Sequence, residues 1–137
     1  MNDMCYNDNV KKRRNTVAKI NCVINLKEDD KIVIDKKEVM GIKNGNKITF
    51  KDDEVIVTIT TDNNKIMMKR VNKEYELNLE FEEGFNRTGK YFLNNANLWL
   101  PIEVFTDKIL VSEKSVEVDY YIDKINFNFK ISFEVTK

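Results

Sequence analysis

The sequence contains no histidine, and this absence limits the chemistry available to the protein. Most hydrolytic and acid/base enzymes use an imidazole to carry protons, so those enzyme classes are excluded. Two cysteines without a histidine also argue against a zinc site. The sequence has no glycine-rich phosphate loop, Cys-x-x-Cys pair or calcium loop. We therefore expect a protein that is not an enzyme and that binds no cofactor or metal ion.

The chain also lacks an excess of charge of either sign. Its 23 Lys and Arg residues balance 23 Asp and Glu residues, so no long-range field attracts nucleic acid or anionic lipid. The basic run Lys11–Arg14 is short, and we interpret it as a solvated approach to the first strand. No segment has the length and apolar character of a membrane span or a secretory leader. These absences predict a cytoplasmic protein with neither nucleic acid nor a membrane as a partner.

What the sequence does contain is a two-residue alternation of apolar and polar side chains. Its 137 residues, of which 42% are hydrophobic, are enough for one domain with a core but not for two. Between Ile125 and Val135 every second residue is apolar, which is typical of a β-strand with one buried face. We predict a flexible segment over residues 1–14 and a single domain over residues 15–137.

Short polar doublets separate these predicted strands, and their residue types suit tight hairpin turns. Because a two-residue turn fixes the register, each doublet predicts which apolar residues lie opposite one another. The doublets are Asn44-Gly45, Asp52-Asp53, Asn63-Asn64, Asn72-Lys73, Asn94-Asn95 and Asp123-Lys124. The predicted pairs are Tyr120 with Phe127, Phe50 with Val55, Ile59 with Met68, Met68 with Leu77, Leu77 with Tyr91 across a turn at Gly84, and Tyr91 with Leu98.

Strands linked in this way form a meander with one continuous apolar face and no helix to cover it. Such a sheet hides that face by closing on itself or by packing two sheets together. Long crossovers, which a Greek-key sandwich needs, are absent. The sequence therefore predicts an all-β fold, a single antiparallel up-and-down β-barrel of about eight to ten strands. The alternation breaks at Asp35–Glu38, which predicts a bulge, and Pro101 predicts an edge or corner.

Several segments resemble a family of small bacterial proteins. They are "VMGIKNGNKITFKDDE", "KIMMKR", "YELNLEFEEG", "TGKYFLNNANLWLPIEVFTDKI" and "VEVDYYI". Their order is similar to that of the YwiB-like, calycin-type β-barrels, a domain of unknown function, over nearly the whole chain from Val17 onward. The resemblance implies a lipocalin-like closed barrel and brings no established activity.

Arg70 is a charged residue that the predicted register places on the inward face, opposite Tyr75. Its guanidinium could reach water at a barrel rim with its stem packed on Tyr75, bind an anionic ligand, or form an internal salt bridge. The many aromatic rings on the inward face predict an interior filled chiefly by side chains. The candidate ligand-binding residues are Arg70, Tyr75, Tyr91, Thr106 and Tyr120.

The predicted outward face carries large apolar residues as well. They could be covered by the N-terminal segment or buried in a homodimer, and the sequence favours neither. The interface candidates are Met67, Phe92, Trp99 and Phe105. Pro101 is a further apolar residue on the same outward face.

Two functions from different classes follow from these patterns. The first is a non-enzymatic protein that binds a small apolar or anionic ligand inside the barrel near Arg70. The alternative is a protein–protein interaction or homodimerisation module with a fully packed barrel interior.

Overall fold

The computed structural model describes residues 17–136. The predicted flexible segment 1–14, Cys5 and the run Lys11–Arg14 lie outside the described residues. Within residues 17–136 the regular elements are ten strands and no helix. The strands are β1 (Val17–Glu28), β2 (Lys31–Asn44), β3 (Lys47–Asp52), β4 (Val55–Asp62), β5 (Lys65–Val71), β6 (Tyr75–Glu82), β7 (Asn86–Leu93), β8 (Leu98–Val111), β9 (Ser115–Ile122) and β10 (Ile125–Val135).

The ten strands form a closed antiparallel barrel. Each strand pairs with its neighbours in the sequence, and β1 pairs with β10 to close the ring. The seam is long, since it runs from Ile20 opposite Val135 to Glu28 opposite Phe127. The predicted all-β, up-and-down barrel is therefore confirmed.

The predicted face assignment is correct throughout the meander, and several predicted registers are correct as well. Tyr120 lies opposite Phe127, Ile59 opposite Met68, and Leu77 opposite Tyr91. These pairs occupy the apolar face because a two-residue turn keeps the parity of both strands.

Three hairpins have a register two residues away from the predicted one. Asp52 still belongs to β3, so Phe50 lies opposite Val57 rather than Val55. Met68 lies opposite Leu79 rather than Leu77. Likewise, Tyr91 lies opposite Leu100 rather than Leu98, because the β7–β8 turn spans four residues, 94–97. A shift of two residues leaves every side chain on its predicted face.

The inward-facing side chains form a single hydrophobic core in the middle of the barrel. Ile20, Val57, Ile59, Phe81 and Ile131 have no exposed surface at all. Rings and branched side chains from all the strands except β2 and β7 fill this region, as expected for a barrel of this size. The core residues are Ile20, Cys22, Ile24, Ile48, Phe50, Val57, Ile59, Ile66, Met68, Leu79, Phe81, Val104, Val116, Val118, Tyr120, Phe129, Ile131 and Phe133.

Two irregularities predicted from the sequence are present. The register of β2 against β1 shifts between Lys37 and Ile34, and Lys36 has a φ of 49°. The Asn25 Oδ1 atom accepts a hydrogen bond from the Lys36 backbone N–H at 2.9 Å, which holds this bulge. Pro101 lies in a part of β8 that pairs with β7 alone. Because no strand pairs with the other edge of β8 here, the missing N–H of Pro101 removes no hydrogen bond on that side.

Candidate functional site

One end of the barrel is open because two long strands extend beyond their neighbours. This open end carries the β1–β2, β3–β4, β5–β6, β7–β8 and β9–β10 turns. Residues 31–38 of β2 pair only with β1, since the ladder to β3 begins at Gly41. Residues 98–103 of β8 pair only with β7, since the ladder to β9 begins at Val104. The wall is thus interrupted on two sides, and it divides into one lip of β9, β10, β1 and β2 and another lip of β3–β8.

Inward-facing side chains near this open end are less buried than those of the core. Leu26, Ile34, Val55, Leu77 and Phe127 are all only partly buried, although each packs against the core cluster. The prediction of an interior filled chiefly by side chains therefore holds for the middle of the barrel. At the open end, the inward-facing side chains are partly exposed, and we call this part of the inner face the cup.

Arg70 lies on the inward face at this end of β5. It is opposite Val57 on one side and Leu77 on the other, so the predicted position opposite Tyr75 is wrong. The reason is the β5–β6 turn, in which the Asn72 Oδ1 atom accepts hydrogen bonds from the backbone N–H groups of Glu74 and Tyr75, at 2.8 and 2.9 Å. This Asx-type turn moves the chain reversal one residue along, to Lys73 and Glu74, so β6 begins at Tyr75 and the register shifts by two residues.

The charge of Arg70 has no carboxylate partner in the described part of the chain. Within residues 17–136 no Asp or Glu oxygen lies within ion-pairing distance of its guanidinium, so the internal salt bridge considered above is not formed. The side chain is half-buried. Its charge acts instead on the phenol of Tyr120, which lies on the other lip of the barrel: burial raises the pKa of Tyr120 to about 12, and the nearby Arg70 cation opposes that rise.

Several aromatic residues share the inward face at this end of the barrel. Tyr120 forms the floor of the cup, with its ring centroid 4.7 Å from that of Phe81 and 5.3 Å from that of Phe127. Tyr75 and Tyr91 contact each other on the wall, at 5.6 Å between centroids. Tyr75 and Tyr91 are partly buried, whereas Tyr120 is 7% exposed. Ring pairs at these distances are attractive and hold the cup in one shape.

Thr106 lies opposite Tyr120 on the neighbouring strand and is fully buried. Its backbone is satisfied, since the Thr106 N–H donates to the Phe85 carbonyl and its own carbonyl accepts from Gly84. Its buried Oγ1 atom has no hydrogen-bond partner among residues 17–136. A buried hydroxyl left in this state costs free energy, which makes it a candidate for a role in binding.

An ion pair at the rim was missed from the sequence. Lys37 is turned inward by the bulge and contacts the carboxylates of Asp52 and Asp53, the latter at 3.2 Å. Asp52 was interpreted as part of a solvated turn, yet it is 9% exposed, and the turn residues are Asp53 and Glu54. These hydrogen bonds raise the pKa of Lys37. They connect the two lips across the gap between β2 and β3.

The interface candidates all lie on the outer wall but do not form one surface. Phe92 lies opposite Trp99 near the open end, where Trp99 is 54% exposed and the Lys90 ammonium lies 5.5 Å from its ring centroid. Phe105 lies opposite Tyr121 farther down β8. Met67 is separate from both, between Thr60 and Glu80 on neighbouring strands.

The second acidic doublet, Glu82-Glu83, has structural contacts. Glu82 forms an ion pair with Arg87, and Glu83 accepts a hydrogen bond from the Ile109 backbone N–H at 2.8 Å. A cleft of about 380 Å³ lies here, at the end opposite the cup. Since these carboxylates already anchor the β6–β7 connection to its neighbours, we assign them no further role.

The fold and this cup define a class of protein, the closed ten-stranded up-and-down β-barrel with one open, aromatic-lined end. A crystal structure of the YwiB protein from Bacillus subtilis is similar to the chain: the TM-score is 0.69, the identity is 14%, and the match covers 89% of this chain and 94% of that one. This similarity shows a shared fold. No family model matches the sequence, and no curated protein matches it. No helix in the described part of the chain has the length and apolar character to cross a membrane.

Proposed function

We propose that the protein binds a small ligand with an anionic group and an apolar body in the cup at the open end of the barrel. The observation that supports this most directly is Arg70, an inward-facing cation that has no carboxylate partner among residues 17–136 and lies at the same end of the inner face as partly buried aromatic residues. A guanidinium in such a setting is suited to a carboxylate or phosphate.

The walls of the cup supply the other half of the recognition. Tyr75, Tyr91 and Phe127 offer partly exposed ring surface, and the apolar side chains of both lips continue it. Small-molecule sites typically combine such an apolar lining with a few polar groups that fix orientation. We propose binding rather than catalysis, because the cup has no histidine to exchange protons.

The test is a titration with 1-anilinonaphthalene-8-sulfonate, an anionic apolar probe, on matched variants. Arg70→Ala removes the cation from the cup, and Lys69→Ala removes the neighbouring cation on the outer wall, which lies 3.8 Å from Glu76. A charge-assisted hydrogen bond contributes roughly 1.5–3 kcal/mol, so we expect Arg70→Ala to weaken binding by about ten- to a hundredfold. Lys69→Ala should bind like the wild type. Equal affinities for all three proteins would contradict the proposal.

A second candidate function, homodimerisation, is favoured by the one-sided part of β8. Leu98, Trp99 and Leu100 are successive residues that are 48%, 54% and 45% exposed, which presents apolar surface on both faces of a strand with a free edge. Contiguous exposed apolar surface of this kind is common at interfaces. Sizing chromatography tests it: Trp99→Glu should convert a dimer to a monomer, whereas Leu110→Glu, which removes a side chain 49% exposed on the same strand, should not. A wild-type monomer at high concentration would exclude this function.

A further inference from the structure

The turn between β2 and β3 contains the one asparagine–glycine pair of the chain, Asn44-Gly45. It lies at the end of the barrel opposite the cup. Asn44 is the last residue of β2, and it is exposed, as are Gly45 and Asn46 of the turn. Asparagine is one of the chemically less durable residues. A glycine after it leaves the side-chain amide open to attack by the backbone, because glycine has no Cβ atom in the way.

The backbone nitrogen of Gly45 is free to act as the nucleophile in such an attack. No backbone carbonyl of residues 17–136 accepts a hydrogen bond from its N–H. Gly45 has a φ of 64°, and a Cβ atom there would have no described atom within 4 Å. The surroundings of this turn therefore do not crowd the approach of the Gly45 nitrogen to the Asn44 Cγ atom.

The strand ends around Asn44 can open locally. Asn44 pairs with Lys47 at the turn end of the β2–β3 ladder and with Val17 at the end of the β1–β2 ladder. The β2–β3 ladder is short, since it has only the four pairs from Gly41 to Asn44. The last pair of a ladder opens at a small free-energy cost. Once this pair opens, rotation of Asn44 brings its Cγ atom onto the Gly45 nitrogen, which is the geometry that the attack needs.

Two lysines supply positive charge at this turn. The Lys43 Nζ atom donates a hydrogen bond to the Gly45 carbonyl at 2.7 Å. Lys47 is exposed and lies directly opposite Asn44. Attack on the amide builds negative charge on the Asn44 side-chain oxygen, and a nearby ammonium group stabilises such charge. The same cations favour a carboxylate at position 44, because opposite charges on paired residues attract each other.

We infer that Asn44 is a site of spontaneous deamidation in the folded protein. The Gly45 nitrogen loses its proton to solvent and bonds to the Asn44 Cγ atom, while the side-chain nitrogen takes up a proton and leaves as ammonia. Water then opens the resulting five-membered imide at either of its two carbonyls. One opening gives aspartate, and the other gives isoaspartate, in which the backbone passes through the former side chain. Water is the only co-reactant. This inference is independent of the proposed function, because it involves no group of the cup.

The test is incubation of the folded protein at mildly alkaline pH, followed by peptide mass spectrometry with the Asn44→Asp protein as a standard. We expect Asn44 to convert first. Asn63 is the control, since it is exposed at a turn of the same length but is followed by Asn64, and it should remain unchanged. The inference would be overturned if Asn44 stayed intact in the folded protein while the urea-unfolded protein converted. Conversion of Asn63 at the same rate would overturn it as well.

A lysine substitution distinguishes a site made by the fold from the reactivity of the local sequence. Lys43→Met removes the ammonium beside Gly45, and we expect it to slow conversion of the folded protein by about two- to fivefold, as for a surface charge interaction. Lys31→Met, at an exposed position at the other end of β2, should convert like the wild type. In urea all three proteins should convert at similar rates. A folded Lys43→Met protein that converts as fast as the wild type would refute the contribution of this ammonium.

Discussion

Replacing Thr106 by valine should make the protein more stable. The Thr106 side chain is fully buried, and within the described barrel its Oγ1 atom has no hydrogen-bond partner. The folded state therefore carries a desolvated hydroxyl that the unfolded state exposes to water. Valine has nearly the same shape and removes that hydroxyl. An unpaired buried polar group costs about 1–3 kcal/mol, of which we expect Thr106→Val to recover about 1–2 kcal/mol.

Val104 provides the matched control. It is fully buried two residues earlier on the same face of β8. Val104→Thr places a hydroxyl in the core in the reverse experiment, and we expect it to lower the free energy of unfolding by about 1–2 kcal/mol. Urea denaturation monitored by Trp99 fluorescence measures both variants. For a chain of this length each kcal/mol corresponds to about 4 °C in Tm, so calorimetry provides an independent check.

The refuting result is a Thr106→Val protein that is less stable than wild type by more than about 1 kcal/mol, because the hydroxyl would then be paired in the folded state. The same variant bears on binding. If the protein retains the hydroxyl to hydrogen-bond a ligand in the cup, Thr106→Val should gain stability and lose affinity for the anionic probe. Such an exchange of stability for activity is common at binding sites.

Three further predictions follow from the packing. Gly89→Ala should destabilise the protein by about 1–3 kcal/mol in urea denaturation, because a Cβ atom there would lie 2.4 Å from the Asn78 carbonyl oxygen; wild-type stability would contradict this close approach. Tyr120 should ionise well above pH 10 in an ultraviolet titration: its folded pKa of about 12 lies above the ordinary 10.0, so its contribution to stability is complete below pH 10 and is lost as the pH rises through 12. Tyr120→Phe should remove that part of the alkaline loss, and an early-titrating Tyr120 would refute the assignment. Burial raises the pKa of the Cys22 thiol to about 11, so a disulfide reagent should modify Cys22 only at the rate of unfolding, and rapid modification of the folded protein would show an accessible thiol.

The alternation of apolar residues predicted the faces of the strands but not every register. Phe50 was expected opposite Val55 and lies opposite Val57, and both residues are inward-facing. Because the side-chain period of a strand is two, a shift by two residues leaves the pattern unchanged. The turn residues decide between the two registers. Asp53 adopts a φ of 57°, so Asp52 remains in the strand, where it forms an ion pair with Lys37.

The open end was also not predicted, although the candidate residues that line it were placed on the correct face. The cup exists because β2 and β8 have 14 residues each, whereas β3 and β9 have six and eight. Sequence patterns locate the ends of strands poorly, and nothing in the pattern of residues 31–38 shows that β3 is too short to pair with them. Bulges such as that at Lys36 add a further shift that depends on a distant side chain, Asn25.

The β1–β10 seam has a consequence for how the protein is made. β1 emerges from the ribosome first, but one of its two neighbours is the last of the ten strands to be synthesised, more than a hundred residues later. Until β10 arrives, β1 and β9 both present bare edges that can capture strands from other nascent chains. Pairing over such a separation is also slow, because the chain loses the entropy of closing a long loop before the two strands make any stabilising contact. The barrel therefore completes itself only after translation has passed residue 135, and a chain stopped before β10 would be prone to aggregate.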